Sequence, residues 1–227
     1  MAQQTEKRFQ QSESFAVGAL LTVAGGLLDA YTYRSRGGVF ANAETGNMVL
    51  LGVYLTQGQW RKAVSYLFPI VAYALGVLTA EWIRDHHRDG RRYHWRHSAL
   101  LAEVAVVCGA SFLPLGKWDA LVNVLVAFIC AMQVETFRKV RGNPFATTMC
   151  TGNLRSGTEA LYRGLADRRR EAVEKGLCYY AIIACFVAGA VLGVVLTSFA
   201  PQRAVLAAAF FQLAAFFLMC RETPSTP

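Results

Sequence analysis

The tripeptide Thr-Gly-Asn occurs twice, as Thr45-Gly46-Asn47 and as Thr151-Gly152-Asn153, at an offset of 106 residues (45 to 151). Threonine caps helices, and glycine lets backbone or ligand approach closely. A helix that starts at such a motif turns unpaired N–H groups and the positive end of its dipole toward whatever lies in front of it. Two such starts meeting near the middle of a membrane would hold an anion or a small polar solute. These six residues are therefore candidate substrate-binding positions. The plainer alternative is that both motifs only cap helices and satisfy each other's backbone.

Acids form the second pattern. Asp29 and Glu135 share the same offset (29 to 135), and each stands near the end of a long apolar segment just ahead of a basic loop. A carboxyl inside a membrane is costly and points to proton or cation handling. Ion pairing with Arg34, Arg36, Arg138 or Lys139 is the structural alternative. Three secondary candidates follow. Glu44 precedes the first Thr-Gly-Asn, with Cys150 in the matching place of the second. Arg155 stands where the first copy has Val49, and would bind an anion or pair with Glu159 on the same helix face. Glu103 lies inside an apolar segment, with Gln212 or Asn123 as polar partners. Tyr31, Tyr33, Phe40 and Phe145 flank the motifs, as pocket lining or as interfacial and packing aromatics.

Other chemistry is not signalled. There is no phosphate loop, dinucleotide fingerprint, G-x-S-x-G or metal-hydrolase motif, so an enzyme is the lesser reading and no cofactor is expected. The six cysteines form no C-x-x-C pair and read as small buried thiols. His86, His87, His94 and His97 belong to a basic loop suited to lipid headgroups, and no metal site is expected.

The elements that position these residues are membrane helices. Apolar residues make up 54 % and charged residues 17 %, and the apolar ones cluster in blocks at 14–33, 63–83, 98–116, 120–137, 176–200 and 204–220. Each block approaches the roughly 20 residues that span a hydrocarbon core. The first is longer than a signal-peptide core and contains Asp29. Between the blocks lie two short helical segments, 46–58 and 152–164. Thirteen residues reach only about 20 Å, so these segments are expected to enter the membrane and return.

Charge decides between re-entry and crossing. The net charge is +8, and the basic residues sit in short loops, which points to membrane orientation rather than nucleic acid. With re-entrant short helices, 17 Lys and Arg fall on the N-terminal side and 6 on the other; with crossing ones the sides are equal and Arg155 is buried in lipid. The expectation is an all-α integral membrane protein with six transmembrane helices and two short re-entrant helices, arranged as two inverted repeats of three spans each. The chain is then one membrane domain, 1–227, with repeats at about 15–116 and 120–220 and cytoplasmic tails at 1–13 and 221–227. Ala72, Gly76 and Ala80 form one small-residue stripe, and Cys185, Gly189 and Gly193 another; both permit close helix contact, within the chain or in a homodimer. Pro69 is expected to kink its helix.

The run Gly25-Gly26-Leu27-Leu28-Asp29-Ala30-Tyr31-Thr32-Tyr33, followed by Gly37-Gly38-Val39-Phe40-Ala41-Asn42-Ala43-Glu44-Thr45-Gly46-Asn47, resembles the YoaK family of bacterial membrane proteins. The second Thr-Gly-Asn and the spacing extend the resemblance over nearly the whole chain. It implies a multi-pass bacterial membrane protein and no particular substrate.

Together these features point to a transporter or channel for a small polar or anionic solute in a bacterial inner membrane. Both termini would be cytoplasmic, and Asp29 and Glu135 would handle protons or a cation. The partners expected are the lipid bilayer and a small-molecule or ion substrate, with no nucleic acid. A non-transporting scaffold or partner subunit is the first alternative, and a membrane enzyme acting on lipid the second.

Overall fold

In the computed structural model, residues 11–86, 92–140 and 142–220 are described. They form eight α-helices: α1 (Phe15–Ser35), α2 (Glu44–Thr56), α3 (Trp60–His86), α4 (Arg92–Ala110), α5 (Asp119–Thr136), α6 (Cys150–Ala166), α7 (Arg170–Phe199) and α8 (Leu206–Cys220). Ser14 caps α1 by accepting from the Val17 N–H. α4 stops at Ala110, short of the apolar block's end, where Pro114 and then Gly116, at φ 89°, redirect the chain. A short β-hairpin, Lys139–Val140 against Asn143–Pro144, occupies the basic loop before α6.

Four helices, α1, α3, α5 and α7, are long and apolar enough to cross a membrane. α8 is apolar but only 15 residues long. The molecule is a helical membrane protein, and its surface agrees. On α3 the large residues Val64, Leu67, Phe68, Val71, Leu75, Leu78 and Trp82 are exposed, while Ala72, Gly76 and Ala80 are buried. Large apolar side chains outside and small residues inside is the distribution a lipid solvent favours. α7 repeats it, with Val187, Val191 and Phe199 exposed and Gly189 and Gly193 buried.

The small residues set two close crossings. α3 packs on α5, where a Cβ at Gly76 would run into Phe128 O and sit 2.8 Å from Ala131 Cβ. α7 packs on α1, where a Cβ at Gly189 would strike Val23 O and one at Gly193 would lie 2.8 Å from Leu27 O. Each short helix lies on the long helix that follows it, α2 on α3 and α6 on α7. α8 packs on α1 and α4, and α4 also on α5.

Arg36, just past α1, is fully buried. Its five donors all find acceptors. Nε donates to Tyr31 Oη at 2.8 Å. Nη1 donates to Pro114 O and Asp119 Oδ1, both at 3.0 Å. Nη2 donates to Ala110 O at 3.3 Å and Leu113 O at 2.8 Å. One guanidinium thus joins the end of α1 to the α4–α5 turn, and Asn123 Nδ2 donates back to Arg36 O at 2.8 Å.

Candidate functional site

The helix carrying the first Thr-Gly-Asn starts at Glu44 and the helix carrying the second at Cys150, each one residue before the threonine. Neither threonine is a cap. The asparagines hold the entry instead, and in the same way. Asn47 Oδ1 accepts from the Phe40 N–H at 3.0 Å and its Nδ2 donates to Phe40 O at 2.9 Å. Asn153 Oδ1 accepts from the Ala146 N–H at 3.4 Å and its Nδ2 donates to Ala146 O at 2.6 Å. Each amide thereby clamps the residue seven positions earlier and folds the incoming loop over its helix start. Phe40 then stacks on Tyr33, ring centroids 4.6 Å apart.

The loops before α2 and α6 meet at α1. Asn42 Nδ2 donates to Gly25 O at 3.2 Å, and a Cβ at Gly25 would lie 2.7 Å from Thr148 Cγ2. Only glycine lets both loops reach the α1 backbone here. The Asn42 N–H donates to Asp29 Oδ1 at 2.7 Å, and the amides of Ala41 and Ala43 face the same carboxyl.

Where the loops meet there is a cavity of about 460 Å³. Asp29 and Glu44 supply its carboxyls. Thr45, Thr148 and Thr151 bring hydroxyls, with Gly152 beside them. Tyr33 and Phe40, with Tyr73 from α3 and Phe186 from α7, form aromatic walls. Among the described residues that line it there is no Lys, Arg or His. Among the described residues no group of three or more His, Cys, Asp or Glu gathers to hold a metal.

Of the sequence candidates, Asp29, Glu44, Thr45, Thr151 and Gly152 therefore line one cavity. Gly46 does not line it: it lies under the Phe40 ring, where a Cβ would approach to 2.9 Å. Asn47 and Asn153 are buried in their backbone clamps. Glu135 is outside the cavity and pairs with Arg138, which also pairs with Glu81. Glu103 accepts from Gln212 Nε2 at 3.2 Å in the α4–α8 contact. Arg155 is exposed, and Glu159 pairs with Arg163 instead, at 2.6 Å. His87 lies outside the described residues.

Asn42, Thr148, Tyr73 and Phe186 were not candidates from sequence. Asn42 and Thr148 share the offset of the Thr-Gly-Asn copies (42 to 148) and stand three residues before each threonine, a signal the sequence does carry.

The family described as "Protein of unknown function (DUF1275)" matches residues 17–218. The chain belongs to it. The YoaK resemblance agrees with that membership. The matched span of this DUF1275 chain takes in both Thr-Gly-Asn copies and every residue lining the cavity. No curated protein and no solved structure matches the chain.

Proposed function

We propose that this DUF1275 protein is a transporter or channel that moves a small polar solute across a bacterial inner membrane by way of the cavity at Asp29. The observation that carries the reading is the origin of the walls: the loop and first turn of α2, the loop and first turn of α6, and one face of α1 enclose a single space. Helix starts that converge on a polar site between long apolar helices are a transporter plan. A scaffold has no need of such a space.

The finer topology belongs to the same reading. The chain has six spans, α1, α3, α4, α5, α7 and α8, with α2 and α6 re-entrant and both termini cytoplasmic. Two inverted repeats, α1–α4 and α5–α8, are supported by helix pairings that survive exchange of the halves: α1 with α7 answers α5 with α3, α2 with α3 answers α6 with α7, and α1 with α8 answers α5 with α4. Alkaline phosphatase fused after Met1 or at Pro227 should be inactive and green fluorescent protein at Pro227 bright. An active phosphatase at either end would remove the inversion.

Transport is tested in proteoliposomes with a panel of radiolabelled small amines, carboxylates and polyols. At least one should enter faster than into empty liposomes. Asp29→Asn should lower that rate at least tenfold, as removal of a cavity carboxyl that handles a proton or cation would. Glu135→Gln should leave the rate within about threefold, because its carboxyl is held by Arg138 away from the cavity. Uptake of no solute on the panel would return the protein to the scaffold reading.

A further inference from the structure

The cavity is unusually one-sided in its chemistry. Among the described residues it presents two carboxyls and no cationic side chain. Three buried oxygens of its lining residues have no hydrogen-bond partner among the described residues: Asn42 Oδ1, Glu44 Oε1 and Thr148 Oγ1. Asn42 and Thr148 are each only 6 % exposed. The Asn42 amide cannot be turned to offer its nitrogen, since Nδ2 is already spent on Gly25 O. Glu44 Oε2 accepts from Asn47 Nδ2 at 2.9 Å, which leaves Oε1 as the unpaired oxygen of that carboxyl. Buried polar oxygens without partners are rare in folded proteins, and each one calls for an explanation. A donor-rich, positively charged group would answer all of them together. An anion would gain the N–H groups of the two helix starts but would meet two carboxyls and no cationic side chain among the described lining residues.

The opposite wall selects among cations. Tyr33, Phe40, Tyr73 and Phe186 give it π faces and apolar area. Aromatic faces attract ammonium groups and solvate hydrocarbon, but do not replace the oxygen shell that a bare metal ion needs. We infer that the cavity binds a protonated amine with an apolar body. The ammonium sits among Asp29, Glu44, Asn42 and Thr148, and the body lies against the aromatic wall. This gives the substrate class of the proposed transporter and rests on that reading for its role in transport, though not for binding itself.

The test is calorimetric titration of the purified full chain, in detergent, with phenethylammonium. Its neutral isostere 2-phenylethanol, the anion phenylacetate and sodium ion are titrated alongside. Phenethylammonium should bind saturably. Phenylethanol should bind at least tenfold more weakly, and phenylacetate not at all, because only the ammonium supplies charge-assisted donors. Glu44→Gln, a half-exposed position of unchanged shape, should weaken the amine at least tenfold, and Phe186→Ala severalfold, in protein that elutes like the native chain. Absent amine binding, phenylacetate binding as tight as the amine, sodium displacing the amine at equal concentration, or indifference to Glu44→Gln would each overturn the inference. The uptake panel separates the two readings. Carboxylate uptake without amine binding leaves transport standing and removes the amine. Amine binding without uptake of any solute keeps the amine site and removes transport.

Discussion

Replacing Arg36 by alanine should destabilise the protein by about 3–5 kcal/mol, the usual loss when one partner of a buried ion pair is removed. The guanidinium is fully buried and all five of its donors are engaged. Without it, the carbonyls of Leu113 and Pro114 lose the guanidinium donors at the turn between α4 and α5, while Ala110 O keeps the Leu113 N–H. Asp119 is partly exposed and can turn to water, which holds the effect toward the lower end of that range. Arg36→Lys should recover little, because one ammonium has three donors and cannot span acceptors arranged around a planar fork. Arg34, two residues earlier and exposed, is the control: its alanine variant should stay within about 0.5 kcal/mol of the native chain. Melting temperature and yield in detergent provide the measurement. An Arg36→Ala variant that melts with the native protein would show that the α4–α5 turn holds itself.

A comparable loss is expected from a single methyl group at Gly189. Its Cβ would enter the space of the Val23 carbonyl, a backbone atom that no rotamer change can move aside. Gly26, across the same crossing, faces Phe186 O in the same way. Overpacking of this kind typically costs about 1–3 kcal/mol, and a backbone contact that only helix separation relieves lies at the upper end. Gly189→Ala should therefore melt well below the native chain, and Gly189→Leu should fail to accumulate. Gly52, in the middle of α2 with nothing within 4 Å of the position a Cβ would take, gives the opposite sign. Gly52→Ala should raise stability by up to about 1 kcal/mol, since alanine loses less backbone freedom in a helix. If Gly189→Ala and Gly52→Ala behaved alike, the α1–α7 crossing would be looser than its backbone contacts imply.

Those two positions also show what a sequence can disclose. Helices were legible wherever apolar residues ran long enough, and the two short helices were legible from their bounding motifs. Span number was less so. α4 opens in basic residues and carries Glu103, and α8 has only 15 residues, so length and composition alone single out α1, α3, α5 and α7. The hairpin before α6 escaped notice because strands of two residues have no periodicity to detect. In the cavity, Asp29, Glu44, Thr45 and Thr151 stood out because polar residues in apolar surroundings, or duplicated motifs, are unusual. Tyr73 and Phe186 could not stand out, since α3 and α7 are apolar nearly all round and no pattern says which aromatic turns inward. Arg36 read as one more loop cation. Its burial depends on carbonyls some 75 residues away, at Ala110, Leu113 and Pro114, which carry no side-chain signature at all.

The pairing of α1 with α7 sets a schedule for synthesis. α1 leaves the ribosome early, yet the helix it packs against begins at Arg170, about 135 residues after α1 ends at Ser35. At roughly 5–20 residues per second the wait is on the order of ten seconds. Through that interval α1 holds Gly26 without the α7 backbone that covers it in the folded chain. α3 and α5 come off the ribosome much closer together and can dock while the second half is still being made. The nascent chain is therefore expected to join α3 to α5 before α1 meets α7.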